Sequence, residues 1–273
     1  MKVLISVDME GATGVCREAQ TTEGTPDHSR AARLLRADVD EAVAGCRDAG
    51  VDEIVVADAH GEASNLDVDG LPDTVRLSSG TPTPMSMLHG LDETFDAALF
   101  LGYHAMAGTS SAVLDHTYTY DVFRVRVDEY LEVGEIGINA GLAGCHGVPV
   151  VFVSGDAATV AEAEELLPGV RTAIVKHGSG RTAARLLPPQ VTGPLIRAGV
   201  AGALQATEIP EALDFSGLPL RITFTSTRRC DTAALCPGVE RLDARSLQIP
   251  GGDYRQTFRT FLACLQLAGT AGH

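Results

Sequence analysis

Two carboxylates stand two positions apart immediately after an apolar run near the start of the chain. Residues 3–5 predict a buried strand, and Asp8 and Glu10 follow it. In an extended chain alternate side chains share a face, so the two acids would project together, roughly 6–7 Å apart. Burial of two like charges would keep one of them protonated, and a cation between them removes that cost. The pair therefore predicts a metal site, the alternative being a polar strand end that leads into a glycine turn.

Two histidines follow later apolar runs in the same way. Residues 53–57 and 97–101 each predict a buried strand, and His60 and His104 come shortly after them. In a parallel sheet the carboxyl ends of the strands meet at one edge, where ligands bind. The sequence therefore predicts that both imidazoles join the two carboxylates, although each histidine alone is equally consistent with an ordinary loop residue.

Two further candidates, Glu135 and His116, have weaker settings. Glu135 follows Gly134 at the start of a predicted helix, where a carboxylate also complements the helix dipole. His116 lies in a polar loop shortly after His104 and is equally consistent with a surface histidine. Carboxylates and imidazoles together suit Zn²⁺, with Mn²⁺ and Co²⁺ as alternatives.

Five candidate ligands are too many for one open tetrahedral zinc site. They suit two metal ions that share a bridging carboxylate, and Asp8, at the end of its strand, is the best placed to bridge. Paired metal ions activate water and hold the oxygen of a polarised carbonyl or phosphoryl group, so hydrolysis is the expected reaction class.

Strands alternate with helices along the chain, which predicts an α/β fold. We expect three layers, α/β/α, around a mostly parallel, mixed sheet, together with a second, smaller α/β lobe. A metal-binding catalytic lobe would comprise residues 1–175, and the smaller lobe residues 176–273. Residues 122–133 alternate apolar and polar side chains and predict a hairpin. Lys176 and Arg181 flank a glycine-rich turn that could contact an anion.

The composition restricts the partners that we expect. The chain of 273 residues has 21 basic and 36 acidic residues and a formal charge of -15, which argues against a nucleic acid or an anionic membrane as partner. No apolar stretch approaches the ~20 residues that span a bilayer. The six cysteines are scattered, and we expect them to be reduced thiols. The chain begins with a predicted strand rather than a signal peptide, so we expect a cytoplasmic protein.

Taken together, these residues resemble the DppA-type zinc-dependent D-aminopeptidases. The resemblance extends from Met1 to about Leu187, and the remainder is looser but similar in length and pattern. It rests on residues 6–11 (SVDMEG), Asp58-x-His60, Gly102-Tyr103-His104, His116 and Gly134-Glu135-x-Gly137-x-Asn139-Ala140.

This resemblance implies a dinuclear zinc centre, with two Zn²⁺ per subunit. Its ligands would be Asp8, Glu10, His60, His104 and Glu135, with Asp8 as the bridge. We expect one zinc ion to take the two glutamates and the other to take the two histidines. The family's catalytic residue corresponds to His116, and the loop that follows it, residues 117–121, would line the substrate mouth.

The family also implies an activity and an assembly. Its members are metallo-aminopeptidases that remove an N-terminal D-amino acid from short peptides, and a substrate amide or peptide with a free amine is expected here. They form a homo-oligomer, a ring-shaped decamer whose active sites face an internal channel. Two alternatives stay open: a two-metal hydrolase of another class, either a phosphoesterase or a small-amide amidohydrolase, and a non-catalytic metal- or peptide-binding protein.

Overall fold

A sheet of seven strands lies at the centre of the computed structural model, which describes residues 1–271. The strands of the two sheets in the described chain are, in order, β1 (Lys2–Val7), β2 (Glu53–Asp58), β3 (Val75–Ser78), β4 (Ala97–Leu101), β5 (Val122–Val127), β6 (Leu131–Glu132), β7 (Val150–Asp156), β8 (Arg171–Gly180), β9 (Ala183–Leu186), β10 (Leu220–Phe224), β11 (Glu240–Arg241) and β12 (Ser246–Ile249). The seven-stranded sheet has the order β3-β2-β1-β4-β7-β8-β9. Its strands run parallel except β9, which pairs antiparallel with β8.

Helices connect the parallel strands, as the alternating sequence pattern predicts. They are α1 (Glu18–Thr21), α2 (Pro26–Asp48), α3 (Glu135–Gly144), α4 (Ala157–Leu166), α5 (Pro189–Leu204), α6 (Thr227–Ala233) and α7 (Tyr254–Gly269), with a 3₁₀ turn at Ser86–Leu88. The long α2 begins at a sequence signal for a helix start: the Thr25 side chain accepts a hydrogen bond from the His28 N–H, and Pro26 occupies the first helical position.

Alternate residues of β1 belong to two different cores. Val3 and Ile5 pack with side chains of α2 and α5 on one face of the sheet. Leu4 belongs to the core on the other face, which contains α3, α7 and the second sheet. A strand buried on both faces reads as a continuous apolar run, and for this reason the run was recognisable in the sequence.

The second sheet is antiparallel and has the order β11-β12-β10-β5-β6. It contains the hairpin predicted at residues 122–133, which forms β5 and β6. The predicted fold class is confirmed: a mostly parallel sheet between helices, with a second, smaller sheet. The lobes 1–175 and 176–273 stay a prediction. The boundary falls within β8, β5 pairs with β10 across it, and residues 272 and 273 lie outside the described residues.

Three further expectations can be compared with the structure. The glycine-rich segment near Lys176 is not an anion-binding turn, because residues 171–180 form β8 and pair with β9. The six cysteines are free thiols, as predicted. Among residues 1–271, no helix combines the length and the apolar character that crossing a bilayer requires.

Candidate metal centre

The acidic and histidine side chains singled out in the sequence meet at the carboxyl edge of the large sheet. Because β1 lies between β2 and β4, the loops that carry Asp8, His60 and His104 leave the sheet side by side. Glu135, the first residue of α3, points to the same place. β1 ends one residue before Asp8, so Asp8 and Glu10 lie in a turn rather than in the predicted extended strand. Both carboxylates are nevertheless buried and contact His60.

Asp8 lies between two histidine–glutamate pairs. Its Oδ1 is 3.3 Å from His60 Nδ1, and its Oδ2 is 3.5 Å from His104 Nε2. On one side Glu10 Oε2 lies 2.9 Å from His60 Nδ1, and on the other Glu135 Oε1 lies 3.2 Å from His104 Nε2. These distances group each imidazole with one glutamate. They do not favour the predicted division, in which the glutamates share one ion and the histidines the other, because β2 and β4 flank β1 on opposite sides.

Two glycines of the motifs allow the loops after β1 and β4 to touch. The Gly11 N–H donates a hydrogen bond to the Gly102 carbonyl (2.7 Å). A Cβ atom at Gly11 would lie 1.7 Å from the carbonyl oxygen of Tyr103, and one at Gly102 would lie 2.3 Å from that of Asp8. Gly102 also has φ of +70°, which favours glycine. Only glycine at both positions permits the backbone approach that brings Asp8 and His104 together.

Backbone carbonyls select which nitrogen of each imidazole faces the acids. His60 Nε2 donates to the Thr21 carbonyl (2.8 Å), and His104 Nδ1 donates to the Ala105 carbonyl (3.0 Å). A carbonyl oxygen only accepts, so these nitrogens carry the protons. Nδ1 of His60 and Nε2 of His104 are therefore directed at the carboxylates, as in histidines whose second nitrogen is fixed while the first binds metal.

The cluster as it stands requires positive charge. Burial lowers the pKa of His60, but the nearby Glu10 and Asp8 carboxylates outweigh burial and raise that pKa to about 12. Burial likewise opposes ionisation of His104, yet Glu135 and Asp8 raise its pKa to about 10. Burial and the adjacent Glu10 raise the pKa of Asp8 to about 7. Either protons on the imidazoles or a bound cation can supply the charge that these carboxylates need.

Unpaired buried atoms favour the cation. Within residues 1–271, Asp8 Oδ2, Glu10 Oε2 and His104 Nε2 are buried and make no hydrogen bond. Buried polar atoms without a partner are costly and uncommon. The donor atoms of Asp8, Glu10 and His104 lie within 4.8 Å of one another, as do those of His104, His116 and Glu135. Carboxylate oxygens and imidazole nitrogens are zinc donors, so the residues present fit a zinc centre.

His116 lies beside this cluster, with its ring stacked on that of His104 (centroids 4.1 Å apart, planes 12° apart). Its Nδ1 donates to the Leu114 carbonyl (2.9 Å), so in the neutral ring Nε2 is the nitrogen without a proton, and it lies 3.7 Å from Glu135 Oε1. Burial and the neighbouring His104 lower the pKa of His116. Its free Nε2 can therefore accept a proton from a group in the space above the acids.

That space is a cavity of about 650 Å³ whose floor is formed by the cluster. Residues 118–121 line one wall, where the sequence predicts the substrate mouth, and the Tyr118 N–H donates to Glu135 Oε1 (2.7 Å). The adjoining wall comes from α6 and α7 through Arg229, Leu262 and Leu265. Sequence reasoning missed this wall, because nothing in the order of the chain places its last helices beside the metal-type residues.

Comparison with known proteins identifies the chain. A family model described as D-aminopeptidase matches residues 1–263. The chain belongs to this D-aminopeptidase family. It is 35% identical over 270 residues to a D-aminopeptidase of Bacillus subtilis (strain 168), covering 98% of each protein. A solved structure described as "Zn-dependent D-aminopeptidase DppA from Bacillus subtilis, a self-compartmentalizing protease" matches with a TM-score of 0.95 and 35% identity over 98% of each chain. The predicted resemblance is confirmed, and the protein is a peptidase.

In this D-aminopeptidase family member a buried lysine holds the loop that carries Glu10. Lys176, in β8, is fully buried, and its Nζ donates to the carbonyls of Glu10 (2.5 Å), Ala12 (2.9 Å) and Val15 (2.7 Å). All three ammonium protons are therefore used. The predicted anion contact is wrong for this residue, which instead fixes the turn between β1 and α1.

We expect Lys176→Met to loosen this turn, because the change leaves three buried carbonyls without their donor. The free energy of unfolding should fall by about 3 kcal/mol or more, since each unpaired buried group costs roughly 1–3 kcal/mol. Zinc affinity should fall as well, because Glu10 loses its backbone support. Chemical denaturation and metal titration measure the two effects. The other lysine of the chain provides the control: Lys2→Met changes a half-exposed side chain and should alter neither.

A half-buried acid of α4, Glu162, gives this family member a dependence of stability on pH. Glu162 Oε2 accepts from the Met106 N–H (2.7 Å), whereas the buried Oε1 has no hydrogen-bond partner among residues 1–271. Burial raises the pKa of Glu162 to about 7. The native state therefore holds this proton more tightly than the unfolded chain does, and its contribution to stability is lost as the pH rises through 7.

We therefore expect Glu162→Gln to gain stability over the wild type as the pH rises. The difference in the free energy of unfolding should grow by about 2–3 kcal/mol from about pH 5 to about pH 8. Urea denaturation at several pH values measures it. Glu165→Gln, which changes an exposed acid on the same helix, is the control. A difference for Glu162→Gln that stays constant with pH would show that the carboxyl is ionised throughout.

Proposed function

We propose that this protein is a dinuclear zinc aminopeptidase that removes N-terminal D-amino acids from short peptides or amides. The observation that carries the proposal is the cluster of buried acids and imidazoles on the floor of the cavity, in which three buried donor atoms make no hydrogen bond. Membership of the D-aminopeptidase family supports the stereochemistry of the substrate. The zinc-dependent Bacillus structure supports the choice of metal.

The contact distances support one assignment of ligands. Asp8 directs one oxygen to each histidine and would bridge two zinc ions. Glu10 and His60 would complete one site, and Glu135 and His104 the other. Two zinc ions, when bound, would polarise the scissile carbonyl and activate water.

The residues around the centre would handle protons and orient the substrate. His116 Nε2 would take a proton as the bond is attacked and return it to the leaving amine, in the manner of a general base and acid. The stacked ring of His104 and the Leu114 carbonyl hold that nitrogen in place.

We also propose a homo-oligomer in the cytoplasm, arranged as a ring of ten subunits whose active sites face an internal channel. The description of the Bacillus protein as a self-compartmentalizing protease supports an assembly that encloses its sites. The free cysteines suit a reducing compartment. Sedimentation equilibrium of the purified protein tests the subunit number.

Metal analysis combined with paired substrates tests the activity. Purified protein should contain close to two zinc ions per subunit and should hydrolyse D-alanine amide in preference to L-alanine amide. Dialysis against a chelator should abolish hydrolysis, and added zinc should restore it. Preference for the L-amide would overturn the stereochemistry. A protein that releases phosphate from an aryl phosphate but cleaves neither amide would overturn the aminopeptidase proposal.

A further inference from the structure

One side chain in the lining of the cavity above the metal centre carries a permanent positive charge. Among the described residues that line it, Arg229 is the single arginine or lysine. We propose that Arg229 binds the C-terminal carboxylate of the substrate, and that the enzyme therefore selects short peptides with a free carboxylate. This inference rests on the proposed function and names the substrate class of the same site.

A short chain of contacts connects Arg229 to the centre. The ring of Tyr120 lies 4.9 Å from that of His116, which stacks on His104. Asp121 is the next residue, and its Oδ2 lies 2.7 Å from Arg229 Nη1. An extended peptide spans about 3.3–3.6 Å per residue. A peptide of two or three residues whose scissile bond lies over the metal centre can therefore extend its carboxylate toward this wall of the cavity.

The guanidinium of Arg229 is held in position by contacts that engage only part of its hydrogen-bond donors. Its Nη1 donates to the Ala268 carbonyl (3.1 Å) and pairs with Asp121, which ties α6 to α7 and to the loop before β5. Both contacts involve Nη1, and within residues 1–271 no further partner engages Nε or Nη2. The side chains of Arg229 and Asp121 are 15% and 22% exposed, so a ligand can reach them.

The remaining edge of the guanidinium suits a carboxylate. Planar guanidinium groups bind carboxylates through parallel N–H donors, and such charge-assisted hydrogen bonds are about twice as strong as neutral ones. Among the described residues of the lining, the one charged side chain besides Arg229, His116 and the proposed zinc ligands is Asp121, so Arg229 is the protein group that can pair with a substrate carboxylate. A short peptide with a free carboxylate matches this arrangement, because its carboxylate can meet the guanidinium while its scissile bond lies over the metal centre.

The test compares one peptide with and without its terminal charge. We would measure kcat/KM for D-alanylglycine and for D-alanylglycine amide with the zinc-loaded wild type, Arg229→Gln and Arg229→Lys. Arg229→Gln should lower the acid-to-amide ratio of kcat/KM by about 10–100-fold, mainly through KM, because a hydrogen bond to a charged group is lost. Arg229→Lys keeps the positive charge but loses the parallel N–H donors of the guanidinium. Its acid-to-amide ratio should therefore lie between those of Arg229→Gln and the wild type.

A matched control comes from an arginine of β11 that contacts the same helix. Arg241 pairs with Asp231 of α6 (2.8 Å) and does not line the cavity, so Arg241→Gln should keep the wild-type ratio. Equal losses on the acid and the amide in both Arg229 variants would overturn the inference and leave Arg229 as a tie between elements. If the wild type cleaves both D-peptides but Arg229→Gln leaves their ratio unchanged, only the inference fails. If the wild type cleaves neither D-peptide and does not cleave D-alanine amide, both the proposed function and the inference about Arg229 fail.

Discussion

Replacing His116 by glutamine is expected to lower kcat on D-alanine amide by about 10²–10⁴-fold, the usual contribution of a positioned general acid or base. The Leu114 carbonyl holds the proton on Nδ1 of His116, and Nε2 is the nitrogen that can exchange a proton with a substrate. Glutamine keeps a polar side chain of similar length but cannot carry a proton between groups. The zinc content of His116→Gln should stay at the wild-type value.

The zinc content of His116→Gln distinguishes an acid–base role of His116 from a role as a zinc ligand. The donor atoms of His116, His104 and Glu135 also lie within 4.8 Å of one another, so a ligand role for His116 is a definite alternative. Loss of one zinc ion per subunit in His116→Gln would establish that role and contradict the acid–base assignment. His177→Gln changes an exposed histidine on β8 and should affect neither kcat nor zinc content, which controls for the substitution itself.

The convergence of His60 and His104 with Asp8 could be predicted because it depends on local patterns. Each residue follows an apolar strand, and parallel strands present their carboxyl ends at one edge. Which glutamate contacts each histidine could not be predicted, because it depends on the lateral order of the strands. Once β1 is known to lie between β2 and β4, His60 and His104 must approach Asp8 from opposite sides.

Long-range partners account for the residues that the sequence did not reveal. Lys176 binds carbonyls more than 160 positions earlier in the chain, and a single lysine in a strand gives no sign of such partners. Arg229 reaches the cavity because β10 pairs with β5, which places α6 beside residues 118–121. Short alternating strands such as β10 carry no information about which distant strand they join.

Replacing Asp8 by asparagine is expected to change stability in opposite directions without and with metal. In the metal-free protein, burial and Glu10 make an ionised Asp8 unfavourable, so the neutral amide should preserve or raise the melting temperature. With metal, binding stabilises the wild type by about 4 kcal/mol when free zinc is about 1,000 times the Kd. Asp8→Asn should lose this gain, because both halves of the centre lose a ligand. Thermal unfolding with and without a chelator measures both effects.

A comparison with Glu10→Gln tests whether Asp8 is the bridge. Glu10 approaches only His60, whereas the two oxygens of Asp8 approach His60 and His104 separately. Glu10→Gln should therefore release one zinc ion per subunit and keep part of the metal-dependent rise in melting temperature. Asp8→Asn should release both ions and show no such rise. If Asp8→Asn instead retains one zinc ion and the same partial stabilisation, Asp8 serves a single ion and the two sites do not share a carboxylate.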